Sequence, residues 1–227
     1  MDALILTVIL TSIPLILAAT GELIAERSGV LNLGMEGMML MGAVAAFAIT
    51  SLSGNPYFGV IAAAAAGAMT AAIFAVFTLG LATNQVATGL ALTIFGTGYS
   101  GLVGAPFVGG TVDGLLALSI PVLSDLPVLG GLLFQLDLLA YGAFVMLALV
   151  AWFLNKSRVG LVLRAVGNNH DSAHALGYSV LRVRCAAVIF GGLMAGLAGA
   201  YLPLVLTPHW SEGMTAGRGW IAPVSYT

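Results

Sequence analysis

Charged residues are scarce in this sequence. Lys, Arg, Asp and Glu together make up 7% of its 227 residues, whereas a soluble domain usually carries ~25%. So few charges cannot hydrate the surface of a globule of this size, which excludes an ordinary soluble enzyme. The net charge is only −2, and no basic arm or acidic tail indicates a nucleic-acid partner. The single cysteine, Cys185, excludes an internal disulfide framework.

Long apolar runs are what the sequence has instead. Hydrophobic residues make up 60% of the chain, and its mean hydropathy is +1.08. Six runs approach the ~20 residues that a helix needs to cross ~30 Å of hydrocarbon. They lie at 4–20, 34–52, 58–82, 86–105, 138–154 and 185–206. The sequence therefore predicts an all-α fold, a polytopic transmembrane helical bundle of about six spans that forms one domain over residues 1–227.

Small residues recur inside these runs at helical spacing. Glycine and alanine dominate 191–200, and four glycines follow one another along the fourth run, at Gly96, Gly98, Gly101 and Gly104. Such a helix face is nearly bare backbone, so another helix can pack closely against it. We interpret both stretches as helix interfaces within the bundle.

The basic residues predict how the chain crosses the membrane. Five of the seven lie in the 155–184 loop, and cytoplasmic loops carry an excess of Lys and Arg. With that loop inside, alternating spans also put the 21–33 loop inside. The 106–137 loop, with Asp113, Asp125 and Asp137, then lies outside. We therefore expect an extracytoplasmic N-terminus.

The 155–184 loop contains one short predicted helix with both ends marked. Asn169 can cap its N-terminus, and Asp171 suits the positive end of the helix dipole. Gly177 fits the left-handed position just past the C-terminus. A helix of about two turns is marginal alone in water. We therefore expect it to be docked, either on this protein or on another subunit.

His170 and His174 could share one face of that helix. A metal site would need at least one more ligand, and the sequence has neither an HExxH-type partner nor a cysteine cluster. Ser172 beside these histidines is equally poor as a catalytic set. We therefore predict neither a metal site nor catalytic residues.

Two polar groups accompany the apolar runs. Glu36 opens the second run, with Asn32 just before it. An ionisable group at membrane depth is a functional hypothesis by default, but Glu36 could instead complement a helix N-terminus. The second group lies at the start and inner part of the fourth run, at Asn84, Gln85, Thr88 and Thr93. Both a substrate pathway and polar contacts between helices remain open for these residues.

Three stretches stand out in order along the chain, at 29–38, 84–93 and 217–222. They resemble signatures of one group of ABC importer permeases, the branched-chain amino acid and simple-sugar permeases. The stretch 29–38 (GVLNLGMEGM) resembles the early signature, and 84–93 (NQVATGLALT) is similar to the next one in the sugar and purine-nucleoside branch. The stretch 217–222 (GRGWIA) matches the part that precedes a further span. The residues that resemble the cytoplasmic coupling loop are Arg164, Gly167, Asn168, Asn169, Asp171, Ala173, Leu176 and Gly177.

The resemblance implies a permease subunit of an ATP-driven importer of nucleosides or related simple sugars, in the cytoplasmic membrane of a prokaryote. In such importers the short helix sits in a groove of a cytoplasmic ATPase, which binds ATP and Mg. This chain has no GxxxxGK[ST] sequence, so we expect no cofactor in it. The expected partners are the ATPase, a second permease subunit (identical or paralogous), an extracytoplasmic substrate-binding protein and membrane lipid.

Family members continue beyond Trp220 into further spans, so we expect the C-terminal spans to be missing from this chain. One alternative is a secondary transporter of a small polar solute without an ATPase partner. Such proteins place ionisable residues near the midplane, and the central parts of the predicted spans hold none. Another is an intramembrane enzyme, but all three histidines lie in predicted loops. Both alternatives are therefore disfavoured.

Overall fold

The computed structural model describes residues 2–118 and 136–224. Nine α-helices lie in these two ranges, and in chain order they are α1 Asp2–Arg27, α2 Met35–Ser53, α3 Pro56–Ala75, α4 Gln85–Gly104, α5 Leu138–Lys156, α6 Arg158–Asn168, α7 His170–Ala175, α8 Val180–Tyr201 and α9 Arg218–Val224. Two π-helical turns, Val76–Gly80 and Leu202–Leu206, continue α3 and α8.

Six helices among the described residues are long and apolar enough to cross a membrane. These spans are Leu4–Arg27, Met35–Ser53, Pro56–Gly80, Gln85–Phe107, Leu138–Lys156 and Val180–Leu206. The predicted all-α transmembrane bundle is therefore confirmed, and the protein is a multi-pass membrane protein.

Two predicted span boundaries are wrong. The first span does not end at residue 20, because α1 continues to Arg27, and the last begins at Val180 instead of 185. Charged side chains interrupt the apolar run in both places, yet the backbone stays helical. Two of these side chains find partners inside the protein: Glu22 is buried and hydrogen-bonded, and Arg184 donates to the carbonyl of Ser28.

Helix α8 lies at the centre of the bundle, because its small residues let other helices approach its backbone. It packs against α1, α2 and α3. A Cβ atom on Gly192 would meet the carbonyl oxygen of Gly67 on α3, and one on Gly199 would meet that of Met39 on α2. Larger side chains would keep these helices apart. The predicted interface at 191–200 is confirmed.

The glycines of α4 do not all serve the same purpose. Gly96 lies against the backbone of Gly37 on α2, and Gly104 lies against the ring of Trp210. A Cβ atom on Gly98, by contrast, would have no neighbour within 4 Å in the described part of the chain. The predicted interface on α4 therefore excludes Gly98.

The connection between α1 and α2, residues 28–34, runs beside the first turns of α4. The amide of Leu31 donates to Oε1 of Gln85 at 2.9 Å, and the hydroxyl of Thr93 donates to the carbonyl of Leu33 at 3.1 Å. A helix rises about 12 Å from Gln85 to Thr93. The connection therefore runs along α4 from its first turn toward the middle of the helix, and α2 begins within the bundle.

The acidic residues predicted for the 106–137 loop differ in their surroundings. Asp113 is exposed, and Asp125 lies outside the described residues. Asp137 is buried: its Oδ1 accepts from the amide of Ala140 at 2.9 Å, and its Oδ2 accepts from the hydroxyl of Tyr201 at 2.9 Å. Asp137 thus caps α5 and fastens its start to the end of α8.

Replacing Gly199 by alanine should destabilise the bundle, because the new methyl group would meet the carbonyl oxygen of Met39. Overpacking a close-packed interior costs about 1–3 kcal/mol. Gly98→Ala is the matched control, since its site is open and alanine favours helix over glycine by about 1 kcal/mol. Thermal unfolding in detergent should show a lower Tm for Gly199→Ala only. Equal shifts in the two variants would contradict the packing argument.

Candidate functional site

The short helix predicted in the 155–184 loop is α7, and its N-terminus has the expected cap. The side-chain oxygen of Asn169 accepts a hydrogen bond from the amide of Ser172 at 3.0 Å. The amide of Asn169 meanwhile donates to the carbonyl of Ala165, at the end of α6. Asp171 lies in the first turn of α7, with a 91% exposed side chain. One asparagine therefore ends α6 and starts α7.

The C-terminus of α7 has the predicted left-handed glycine. Gly177 has φ = +87°, and its amide donates to the carbonyl of His174 at 2.9 Å. The amide of Tyr178 donates to the carbonyl of Ala173 at 3.1 Å. This pair of bonds is the Schellman motif, which satisfies carbonyls that the helix itself leaves open. Both ends of α7 are therefore fixed by its own sequence.

Helix α7 is attached to the bundle through one side only. Ala173 is buried, with 3% exposure, where α7 meets α6 and α8. The other residues of the helix are exposed. Just past its end, Leu176 is 78% exposed and Tyr178 is 45% exposed. The loop therefore presents a capped helix and two apolar side chains to its surroundings.

Helix α6 packs its last turn on the end of α1. A Cβ atom on Gly167 would meet the carbonyl oxygen of Arg27, so only glycine permits this approach. Arg164 and Asn168 line a cleft of about 480 Å³ that also includes Glu26. Nε of Arg164 and Oε1 of Glu26 are both buried without a hydrogen-bond partner among the described residues.

A further link joins the loop to the interior of the bundle. Nε of Arg184, in the first turns of α8, donates to the carbonyl of Ser28 at 3.0 Å. Ser28 begins the connection between α1 and α2. The start of α8 also contacts α7. A movement of the start of α8 would therefore displace the connection between α1 and α2.

Asn32 lies in the middle of that connection and is fully buried. Its Oδ1 accepts from the amide of Gly34 at 3.0 Å, and its Nδ2 faces the sulfur of Met38 at 3.4 Å. The amide of Asn32 donates to Oε1 of Glu22 at 2.9 Å. Oε2 of Glu22 is buried without a partner within residues 2–118 and 136–224. Asn32 and Glu22 therefore stabilise a backbone that is not helical.

The polar residues of α4 divide into two pairs. Gln85 and Thr93 bond the connection between α1 and α2, as described above. Asn84 is exposed and caps α4 by accepting from the amide of Ala87, whereas the hydroxyl of Thr88 lies 2.8 Å from that of Thr83. The structure therefore brings Gln85 and Thr93 together with Asn32, and leaves Asn84 and Thr88 at the N-terminal end of α4 without a bond to the connection.

Glu36 is bound by a segment far along the chain. Its Oε1 accepts from the hydroxyl of Thr215 at 2.5 Å and from the amide of Gly217 at 2.8 Å. Its Oε2 accepts from the amide of Gly219 at 2.6 Å. These donors surround the N-terminus of α9, where a negative charge is favourable. The carboxylate thus holds α9 and its preceding turn against α2.

The two histidines of the loop do not gather further ligands. Nε2 of His170 lies 3.5 Å from the carboxylate of Asp171, and both side chains are largely exposed. Among the described residues, no group of three or more His, Cys, Asp or Glu side chains could hold a metal ion.

Sequence reasoning missed Glu22 and Arg184 as residues that hold the connection. Glu22 was assigned to a loop, although Leu23 and Ile24 continue the apolar spacing of the first span. Arg184 was considered only as a basic charge. The partners of Glu36 had no local signal, because Thr215 lies 179 residues further along the chain.

A multi-pass helical bundle with a docked, doubly capped helix in a basic loop is typical of a membrane-embedded component of a transport system. The profile of a family described as "Branched-chain amino acid transport system / permease component" matches residues 4–225. The chain belongs to this family.

Its relatives include permeases for glucose and nucleosides. The chain is 42% identical over 212 residues to a putative glucose ABC transporter permease protein of Haloferax volcanii, covering 92% of this chain and 64% of that protein. It is 29% identical to the nucleoside ABC transporter permease protein of Lactococcus lactis (98% and 74% covered) and 30% identical to the guanosine ABC transporter permease protein of Bacillus subtilis (92% and 69%). The chain thus spans about two thirds to three quarters of these relatives. No solved structure matches.

Replacing Glu36 by glutamine should weaken the attachment of α9. The amide group of glutamine would place N–H donors against the amide of Gly219 or Gly217, and an unsatisfied buried group costs about 1–3 kcal/mol. Thermal unfolding should therefore show a lower Tm. The exposed Glu212→Gln is the control, with a change within about 0.5 kcal/mol. A Glu36→Gln variant that loses uptake but keeps its Tm would instead support a role in the pathway.

Proposed function

We propose that this chain acts in the permease subunit of an ATP-driven importer that carries nucleosides or related simple sugars across the cytoplasmic membrane. The family and the printed functions of the relatives support this proposal. The structural observation that carries it is α7, a short helix capped at both ends and exposed on all sides except Ala173. ATP and Mg bind to a separate ATPase subunit, where hydrolysis takes place.

The ATPase receives α7 in a groove on its surface. Leu176 and Tyr178 supply apolar contacts there, and the capped ends keep the helix intact while it is pushed. Motion passes through Ala173 to the start of α8, and from Arg184 to the carbonyl of Ser28. A helix of this kind transmits motion only if its contacts differ between the two states of the transporter. The change in the ATPase on binding ATP supplies that difference.

The substrate pathway runs beside the connection between α1 and α2. Its hydrogen bonds to Gln85 and Thr93 of α4 make it sensitive to any shift of that helix. Asn32 shapes the pathway by holding the non-helical backbone, and Glu36 does so by holding the turn before α9. Asn84 and Thr88 lie at the inner mouth of the pathway. A second permease subunit, identical or paralogous, provides the other wall. An extracytoplasmic binding protein delivers substrate to the outer loops.

The relatives do not favour the secondary-transporter alternative. Uptake into vesicles that contain the permease but neither ATP nor an ATPase distinguishes the two mechanisms. We expect no uptake under those conditions. Concentrative uptake there would overturn the proposal.

The proposed orientation puts α7 in the cytoplasm and the N-terminus outside. In a Cys185→Ser background, cysteine introduced at exposed Leu116 should react with a membrane-impermeant maleimide on intact cells. Cysteine introduced at exposed His170 should react only after the cells are permeabilised. The opposite pattern of labelling would invert the topology.

Replacing Gly177 by leucine should separate the permease from its ATPase, because φ = +87° is strained for a leucine and the end of α7 would unwind. Gly54→Leu is the matched control, with the same strain at φ = +67° at the end of α2 and open space around it. The ATPase that co-purifies with the full-length protein in mild detergent, identified by its GxxxxGK[ST] sequence, should be lost with Gly177→Leu only. Retention of ATPase and uptake by Gly177→Leu would show that α7 is not the docking element.

A further inference from the structure

An apolar groove of about 510 Å³ opens on the side of the bundle, away from the residues discussed so far. Helices α5 and α8 form its walls, with Phe153 and Phe190 among the lining side chains. Helix α6 closes one end with Val159 and Val162. Arg182 is the one charged or polar side chain among the described residues that line the groove.

The charge lies at one end of the groove. On α8 the lining positions begin at Arg182 and continue through Val183 and Ala186 to Phe190, a rise of about 12 Å. On α5 the lining face ends at Phe153, and Lys156 follows three residues later, which puts it on the same face of the helix. Both helices therefore place a basic residue at the end next to the 155–184 loop and apolar side chains beyond it.

Helix α6 has one face buried against the bundle and exposed apolar side chains beside it. Gly160, Leu163 and Val166 are buried against the bundle, whereas Val159 and Leu161 are 66% and 59% exposed. A short helix with exposed apolar side chains and flanking basic residues is typical of one that rests in the membrane interface. The charged end of the groove is therefore at headgroup depth, and its apolar length spans most of one ~15 Å leaflet.

We propose that this groove binds an anionic phospholipid. The acyl chains lie between α5 and α8, and the phosphate is bound by Arg182, with Lys156 nearby. Basic pockets between transmembrane helices on the cytoplasmic side bind anionic headgroups in this manner. Among the described residues that line the groove, no acidic side chain faces Arg182. A phospholipid supplies a phosphate at that end and acyl chains beyond it, so the charge distribution favours lipid.

The test uses the purified protein reconstituted with equal amounts of phosphatidylglycerol and phosphatidylcholine, followed by mass spectrometry of the lipids that remain bound. The wild type should retain phosphatidylglycerol in preference. Arg182→Gln should lower its retention about fivefold, the effect of removing one basic residue near a membrane surface, and leave phosphatidylcholine unchanged. Arg27→Gln is the matched control, because Arg27 is exposed and lines the separate cleft beside α6.

A second variant separates the apolar part of the site from its charge. Ala186→Phe should fill the groove, since Ala186 lines it and is exposed, and should lower the retention of both lipids. A photoactivatable phosphatidylglycerol should cross-link to α5 and α8. Equal losses with Arg182→Gln and Arg27→Gln, no bound lipid in the wild type, or cross-links confined to other helices would overturn the proposal. None of these readouts depends on transport, so failure here leaves the proposed function intact.

Discussion

A bilayer offers no water to backbone amides and carbonyls, so a chain that leaves helical geometry within it must find other partners. Residues 28–34 meet this requirement with side chains. The amides of Leu31 and Asn32 donate to Gln85 and Glu22, and the carbonyl of Leu33 accepts from Thr93. Four polar side chains or amides of the interior are therefore tied to one irregular stretch, those of Glu22, Asn32, Gln85 and Thr93, and the start of α2 depends on them.

The irregular stretch is also linked to the start of α8. Its carbonyl at Ser28 accepts a hydrogen bond from Arg184, at the start of α8, the helix that follows α7 and contacts it. Hydrogen bonds of this kind are directional and can be exchanged, whereas the glycine contacts of α8 with α2 and α3 are fixed by close packing. The bundle thus combines a closely packed centre with an irregular connection, residues 28–34, that is held beside α4 by hydrogen bonds.

The sequence was sufficient for features that depend on local chemistry. The spans follow from apolar composition, the caps of α7 from Asn169 and Gly177, and the centre of the bundle from the glycine spacing at 191–200. It was not sufficient where a residue's partner is distant. The position of Glu36 suggested two roles, but only the fold brings Thr215 and Gly219 to its carboxylate.

The charged residues Glu22 and Arg184 are predicted wrongly for a similar reason, because their partners also lie elsewhere in the chain. Glu22 and Arg184 fall in predicted loops because the apolar runs stop short of them, but each makes a hydrogen bond inside the protein. Gly98 was assigned to an interface on spacing alone, and its surroundings are open. Periodicity identifies a helix face, but it does not identify which neighbour, if any, lies against that face.

Asn169 both ends α6 and begins α7, with φ = −152° and ψ = 97° between two helical segments. Asn169 is the one residue between the two helices, so neither helix can extend at this junction unless the other shortens. A change in the angle between α6 and α7, whose six residues extend about 9 Å, must be taken up by the backbone of this one residue. The side chain of Asn169 also caps α7, so any such change acts directly on its hydrogen bond with the amide of Ser172.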